Sequence, residues 1–308
     1  MRIVVMGAGG VGGYFGGRLA LAGNDVTFIA RGAHGEAIRR DGLRAEGPLG
    51  EFHLQPAKSV ASAAEITSPV DVILFAVKLS DIEAAAAQLQ PVVGPETTIY
   101  TVQNGVEAAD RVGSILGRHK VVAGVAYISA IIADPGLIRS GGFFARLTFG
   151  ERDGSESART KAFYDVCKAA KVDVALAPDI TRILWSKFAM LAPMAATTSL
   201  IRCNLGQIRS NTRSRAMLQA LVEEIIAVAK AAGVHMQDSD VAETMKVFDN
   251  LPPTVRASMA HDLDIGKPLE LPWLSGAVVR LGETHGVATP THRFITQALA
   301  PYETGRPE

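Results

Sequence analysis

The first thirty-one residues, MRIVVMGAGGVGGYFGGRLALAGNDVTFIAR, constrain the fold of this chain more than any other stretch. A short apolar run, Ile3-Val4-Val5-Met6, has the unalternating character of a strand buried on both faces. It leads directly into Gly7-Ala8-Gly9-Gly10-Val11-Gly12, which satisfies G-x-G-x-x-G. Tyr14 to Ala22 then reads as a helix, Gly23-Asn24 as a turn, and Val26-Thr27-Phe28-Ile29 as a second strand. In that setting Gly7 permits a tight turn, Gly9 lets backbone approach a pyrophosphate, and Gly12 lets the helix lie against the strand. The helix start, around Ala8, Gly10 and Val11, offers unpaired N–H groups and the positive end of a dipole to phosphate. A glycine-rich turn that binds nothing is the competing reading, and the strand–loop–helix–strand context argues against it.

The end of the second strand bears on which dinucleotide fits. An NAD site has Asp or Glu there, accepting from the ribose 2′-hydroxyl. This strand ends Ile29-Ala30-Arg31, and Asp25 stands at its opposite end. A guanidinium cannot accept a hydrogen bond but suits a 2′-phosphate, so Arg31 favours NADP(H) over NAD. An ordinary solvated arginine is the alternative.

The rest of the first half keeps a strand–helix rhythm. Val70 to Val77 is an apolar strand ending at Lys78, and Asp81 to Leu89 is a helix with Ser80 as its expected cap. Thr98 to Val102 is a strand leading into Gln103-Asn104-Gly105, followed by a helix over Val106 to Leu116. Leu43 to Leu54 suggests a small hairpin or irregular strands, Val121 to Ala133 and Ala145 to Phe149 further strands, Ala158 to Ala170 a helix, and Val172 to Leu176 a last strand. The rhythm predicts a Rossmann-like, doubly wound, mostly parallel sheet. From Pro178-Asp179 the periodicity becomes helical: Ile180 to Leu200, Asn211 to Ala232, Asp238 to Asn250, Pro272 to His285 and Thr291 to Leu299. The expected class is therefore α/β with an all-α C-terminal domain, divided into residues 1–177 and 178–308. The polar tail from Glu303 to Glu308 is expected to fray.

Composition narrows the function classes. Lys+Arg and Asp+Glu are both 31, so no global field favours nucleic acid or an anionic membrane. The run Trp185 to Ile201 is apolar, but Lys187 and Pro193 interrupt it, which argues against a membrane span. Two distant cysteines, Cys167 and Cys203, fit a reduced, cytoplasmic setting. The seven histidines make no HxH, HExxH or Cys/His cluster, so no metal site is expected. The oligomeric state is left open; a homodimer through an apolar face of the helical half is one arrangement.

Ligands of open α/β sheets lie beyond the carboxyl ends of the strands. Besides the glycine loop, Lys78 and Asn104 fall at such ends. Lys78 suits phosphate or carboxylate, and Asn104 suits a ribose or nicotinamide edge; turn chemistry is the alternative for both. In the helical half Lys187 shares a helix face with Ile183, Leu184, Met190, Leu191 and Met194. Two readings stand for it: a lysine with its head in water, or a desolvated ammonium whose lowered pKa makes it a proton donor near neutral pH. Glu270 precedes a helix, where it can merely complement the helix dipole, and Ser258 can be an ordinary helix hydroxyl.

Taken together, the glycine loop, Arg31, Lys78, Gln103-Asn104-Gly105, Trp185-Ser186-Lys187-Phe188, Ser258-Met259 with Asp262, and Glu270 followed by Gly276 resemble the ketopantoate reductase family (2-dehydropantoate 2-reductases). The similarity runs through essentially the whole chain. It implies an NADPH-dependent reduction of a 2-keto acid to an (R)-2-hydroxy acid, in pantothenate biosynthesis. By position it implies that Arg31 holds the 2′-phosphate and that Lys78 and Asn104 line the cofactor–substrate site. Lys187 would be the general acid and Ser258 would bind the substrate near its carboxylate. Glu270 would contact the nicotinamide ribose and orient Lys187, and the strand near Ala130 would border the cofactor.

The chain also departs from the family pattern. The pantoate-forming members carry asparagines four and eight residues past the lysine, where this chain has Leu191 and Ala195. Their Asp-Tyr-Ile-Asn after the glutamate is Pro272-Trp273-Leu274-Ser275 here, and Asn204 is offset by one from a further family asparagine. The loss of amide partners favours a more apolar 2-keto acid. Three functions therefore stand: a ketopantoate reductase, a reductase of a more apolar 2-keto acid, and a non-catalytic NADP-binding sensor.

Overall fold

A computed structural model describes residues 1–307. Its chain divides into two compact units, Met1–Ile180 and Thr181–Glu308. The first unit is built on β1 (Arg2–Met6), α1 (Gly10–Leu21), β2 (Asp25–Ile29), α2 (Gly32–Asp41), β3 (Leu43–Glu46), β4 (Phe52–Leu54) and β5 (Lys58–Val60). There follow β6 (Val72–Phe75), α3 (Ile82–Gln88), β7 (Thr98–Thr101), α4 (Ala108–Leu116), β8 (Val121–Tyr127), β9 (Ala130–Asp134), β10 (Leu137–Ser140), β11 (Arg146–Gly150), α5 (Ala158–Ala169) and β12 (Asp173–Leu176).

Eight strands form the main sheet in the order β12-β11-β8-β7-β6-β1-β2-β5. All neighbours are parallel except β11 against β8. The chain runs outward from β1 to β2 and β5, then returns to fill the other side from β6. β1 is therefore the switch point, and the carboxyl ends of β1 and β6 are where such a sheet takes a ligand. The helix α1 can lie close on β1 because its sheet-facing positions are glycines. A Cβ at Gly12 would stand 2.0 Å from the Gly7 carbonyl oxygen, and one at Gly16 would stand 2.7 Å from both Phe28 and Val5. Val5, Phe15, Phe28 and Leu74 are fully buried at this contact, each worth about 1.5–3 kcal/mol of hydrophobic transfer.

A second sheet, in the order β4-β3-β10-β9, covers the start of α1. This part departs from the sequence reading. The apolar run Val121 to Ala133 is two strands in different sheets, and β10 and β5 went unread. Buried β8 and exposed-edge β9 look alike in sequence because Ile131 and Ile132 of β9 are apolar yet 62% and 45% exposed. The cap of α3 also differs. Ser80 lies inside a 3-10 turn, Leu79–Asp81, its hydroxyl bonded to the Asp81 carboxylate, and Asp81 stands at the helix start without a side-chain cap bond.

The second unit contains α6 (Ile180–Ile201), α7 (Leu205–Ser210), α8 (Thr212–Ala231), α9 (Ser239–Asn250), α10 (Ser258–Asp264), α11 (Ser275–His285) and α12 (Pro290–Leu299). Among the described residues, no helix is long and apolar enough to cross a membrane. Over its described residues, 303–307, the tail is paired and not frayed, and Glu308 lies outside the described residues. Leu269 N–H donates to the Glu303 carbonyl and Arg306 N–H to the Gly266 carbonyl, so the tail is laid along the segment that leads into Glu270. The tail supplies partners for the backbone of Gly266 and Leu269, and its polar composition hides that match.

A polar knot holds α12 on α8. The buried Glu224 carboxylate accepts the N–H groups of Thr291 and His292, at 2.7 and 2.9 Å, satisfying the start of α12. His292 is fully buried; Nε2 donates to the Leu221 carbonyl while Nδ1 has no partner. Burial pushes its pKa down to about 4, against the raising effect of the Leu221 bond. Because the folded chain resists this proton and the unfolded chain accepts it, stability is complete above the ordinary histidine pKa. It falls as pH drops from about 6.5 toward 4, by at most about 1.4 kcal/mol per pH unit. Denaturant unfolding at pH 7.5 and pH 5 should show this loss in the wild type and a smaller one in His292→Gln. Equal losses would place the acid sensitivity elsewhere.

Candidate active site

In the first unit the edge of the sheet collects the residues that the sequence singled out. β2, β1, β6 and β7 are consecutive neighbours and parallel. Their carboxyl ends therefore present, in lateral order, Arg31, the Gly7–Gly12 loop, Lys78 and Asn104. Three strand spacings separate the first from the last, about 14 Å.

The loop itself is built by close approach. Gly7 turns at φ +95°, and a Cβ there would meet the Ala76 backbone at 3.0 Å. Gly9 is the residue before α1; a Cβ there would meet nothing within 4 Å, so this side of the loop is open. The Gly9 carbonyl accepts from Gly13 N–H at 2.7 Å, which starts the helix, and Gly9 N–H has no acceptor within the described residues. Val11 is half-buried in the first turn of α1, and Ala8 is buried behind the loop. A Cβ at Gly10 would lie 2.0 Å from the Ala130 carbonyl oxygen. The structure thus brings Ala130, at the start of β9, directly over the first residue of α1.

The remaining edge residues differ in exposure. Arg31 precedes α2 in extended conformation; it is exposed, and its guanidinium has no ion-pair partner among the described residues. Lys78 is exposed and leads into a 3-10 turn; Asn104 is half-buried. Asn104 follows a residue whose role the sequence reading missed. Gln103 is buried, and its amide donates to the Phe75 carbonyl at 2.8 Å, tying the end of β7 to the end of β6. Its Oε1 is buried without a partner. A glutamine before Asn-Gly gives no sequence signal for such a tie.

In the second unit α6 carries Lys187 with Leu191 one turn later, both half-buried, and Ala195 buried a further turn on. The helix continues through Pro193, and the Thr197 hydroxyl donates to the Pro193 carbonyl at 2.8 Å. Burial pushes the Lys187 ammonium down to about 8, while the carboxylate of Glu270 pulls in the opposite direction. Glu270 is half-buried at the entry to a 3-10 turn, Leu271–Trp273, and its carbonyl accepts from Trp273 and Leu274. It therefore stands ahead of the turn, not in the first turn of α11 where a dipole role would put it. Ser258 is the exposed first residue of α10. Ala257 N–H hangs that helix on Thr198 Oγ1 of α6 at 3.4 Å, about 16 Å along the axis from Lys187. Lys187 and Glu270 are thus coupled by charge, and Ser258 bonds to neither.

The comparisons with known proteins match both units. The ketopantoate reductase PanE/ApbA family matches residues 3–154, and the ketopantoate reductase PanE/ApbA C-terminal family matches residues 179–303. The chain belongs to the ketopantoate reductase family. Among curated relatives, a 2-dehydropantoate 2-reductase of Mesorhizobium japonicum is 30% identical, with 94% of each chain covered. A protein named uncharacterized oxidoreductase YkpB, of Bacillus subtilis, is 28% identical over 98% of this chain and 99% of its own. The crystal structure of a PanE/ApbA family ketopantoate reductase from Ralstonia eutropha superposes with a TM-score of 0.90 at 29% identity, covering 98% of both chains. Membership makes this an oxidoreductase with a Rossmann-like domain followed by a helical domain.

The Lys187–Glu270 coupling can be measured directly. With lysines reductively methylated by a ¹³C label, the Lys187 resonance should titrate with a midpoint near 8 in the wild type. In Glu270→Gln the midpoint should fall, because the carboxylate that favours the ammonium is gone. An unmoved midpoint would mean that Glu270 does not act on the ammonium.

Proposed function

We propose that this protein reduces a 2-keto acid, 2-dehydropantoate first among the candidates, to the (R)-2-hydroxy acid with NADPH, as in pantothenate biosynthesis. The observation that carries the reading is a lysine ammonium whose pKa is brought to about 8 on α6 beside the carboxylate of Glu270. A donor with that pKa is mostly protonated at neutral pH yet gives up its proton far more readily than a solvated lysine. The names of the Mesorhizobium and other relatives support the same substrate.

The edge of the main sheet fits a dinucleotide. The glycine loop leaves open space and an unpaired N–H at Gly9 where a pyrophosphate would lie. Arg31 on one side suits a 2′-phosphate, and Lys78 and Asn104 on the other suit the nicotinamide half. When bound, the reduced nicotinamide supplies a hydride to the keto carbon. The chain does the rest. Lys187 gives a proton from Nζ to the carbonyl oxygen as negative charge builds on it. Glu270 favours the return of the ammonium once that proton has left. Reduction so described consumes one hydride and one proton and leaves a hydroxyl.

A second reading has its own observation. Leu191, one turn from Lys187, and buried Ala195 replace amides with hydrocarbon on the helix that carries the proton donor. This favours a bulkier, more apolar 2-keto acid. NADPH oxidation followed against a panel of 2-keto acids separates the two: turnover confined to ketopantoate supports the first, and preference for bulky apolar acids supports the second. Tight NADPH binding without turnover of any acid would leave only the sensor role.

Lys187→Ala should lower kcat by at least about 100-fold, the scale of one general acid, with NADPH affinity little changed. Near-normal turnover would remove Lys187 from the chemistry. Arg31→Ala should weaken NADPH binding by about tenfold or more, the scale of a lost charge-assisted contact, and leave NADH nearly unaffected. An unchanged preference between the two nucleotides would remove the 2′-phosphate argument.

A further inference from the structure

His34 lies in the first turn of α2, three residues after Arg31, and it is half-buried. Both ring nitrogens are engaged. Nε2 lies 2.8 Å from the Ala8 carbonyl oxygen, and Gly136 N–H reaches Nδ1 at 3.1 Å. Only one tautomer satisfies both: Nε2 carries the hydrogen and donates to Ala8, and Nδ1 accepts from Gly136. Burial holds the ring neutral by pushing its pKa down. One side chain thus ties the glycine loop to the turn between β9 and β10. The same hairpin begins at Ala130, whose carbonyl lies over Gly10.

The contact does more than brace the loop. The Ala8–Gly9 peptide is trans, since the one cis bond in the chain is Gln55–Pro56. In a trans peptide the carbonyl and the following N–H point in opposite directions. Fixing the Ala8 carbonyl on His34 therefore fixes the Gly9 N–H pointing the opposite way, away from His34, within the same peptide plane. The Gly9 N–H has no acceptor within the described residues, and the space where a Gly9 side chain would stand is empty. Glycine on one side of this peptide gives it freedom to rotate, so the orientation needs an external hold.

We propose that His34 is a positioning residue for dinucleotide binding: by holding the Ala8 carbonyl it aims the Gly9 N–H at the pyrophosphate. The proposal rests on the reading of the glycine loop as a dinucleotide site. It assigns the two bonds of His34 different weights. The donor to Ala8 sets the binding group, while the acceptor from Gly136 secures the hairpin.

Two substitutions separate the bonds. His34→Gln keeps a donor at the position of Nε2 and gives up the acceptor for Gly136. His34→Asn keeps an acceptor at the position of Nδ1 and gives up the donor to Ala8. Dissociation constants for NADPH and NADH are measured by nucleotide fluorescence on full-length protein, with thermal unfolding of the nucleotide-free protein alongside. His34→Ala and His34→Asn should each weaken NADPH by about tenfold, the loss expected for one misaimed charge-assisted hydrogen bond. His34→Gln should stay within about threefold of wild type, as for a bond that leaves the ligand contact intact, even where its unfolding temperature matches that of His34→Asn. A merely structural latch would make affinity follow stability, with Gln and Asn alike. Gln as weak as Ala, Asn as tight as wild type, or no change in any variant would overturn the proposal. Wild-type protein that binds neither nucleotide would overturn the dinucleotide reading itself, and the proposal with it. Should His34→Ala fail to fold, the contrast between Gln and Asn decides the matter.

Discussion

A helix that begins at the carboxyl end of a buried strand has a problem at its first turn. Its leading N–H groups have no partners in the helix, and burying them unpaired costs about as much as losing a hydrogen bond each. At the start of α1 the usual solution is missing. Gly9 precedes the helix with no side chain to accept those donors, and no acidic residue stands in the first turn. Much of the first unit can be understood as the consequence. The glycines at positions 7, 12 and 16 bring α1 close onto β1, which leaves the donors at the sheet edge and not over the core. The second sheet comes up against the same turn through Ala130, while the space beside Gly9 stays empty. On the proposed reading, a pyrophosphate would complete what the chain leaves undone.

The second unit manages its polar groups differently, and the contrast locates its chemistry. Glu224 is buried, and it is satisfied by two backbone N–H groups at the start of α12. Asp240 is buried and paired with Arg182 at 2.8 Å. Both are carboxylates whose partners were supplied by the fold. Lys187 differs in its balance: burial outweighs the field of Glu270 and brings the pKa of its ammonium down to about 8. The protein thus disfavours the charged form of this lysine. Structural lysines are rarely left in that condition, whereas proton donors need it.

The sequence reading succeeded where one physical rule governs one element. The G-x-G-x-x-G loop, the buried strands at Ile3–Met6 and Val72–Phe75, and the long helices from Ile180 and Thr212 follow from periodicity and turn chemistry within short windows. It failed where a segment takes its structure from distant partners. β9 and β10 belong to a sheet completed by β3 and β4, some ninety residues earlier, and nothing within Val121–Ser140 announces the change of sheet. The tail from Glu303 is polar, yet its backbone pairs with Gly266 and Leu269. His34 is the sharpest case. Its two partners are 26 and 102 residues away, so in the sequence it is one histidine among seven.

The departures of this chain from its family and the state of its lysine are two aspects of one condition. An amide one turn from Lys187 would give the ammonium a carbonyl oxygen to bond or a nearby dipole to face, and either would favour the charged form. Leu191 provides neither, and buried Ala195 continues the apolar face. On the proposed reading, hydrocarbon at these positions would take polar partners from a substrate and leave the neighbouring ammonium less solvated. The two effects oppose each other in rate. A lower pKa makes the ammonium a stronger acid toward a developing alkoxide, but it also shrinks the protonated fraction at high pH. Glu270 limits that loss by holding the ammonium charged, since its field raises a pKa that burial alone would push lower still. A carboxylate beside the lysine thus becomes more necessary as the surroundings become less polar.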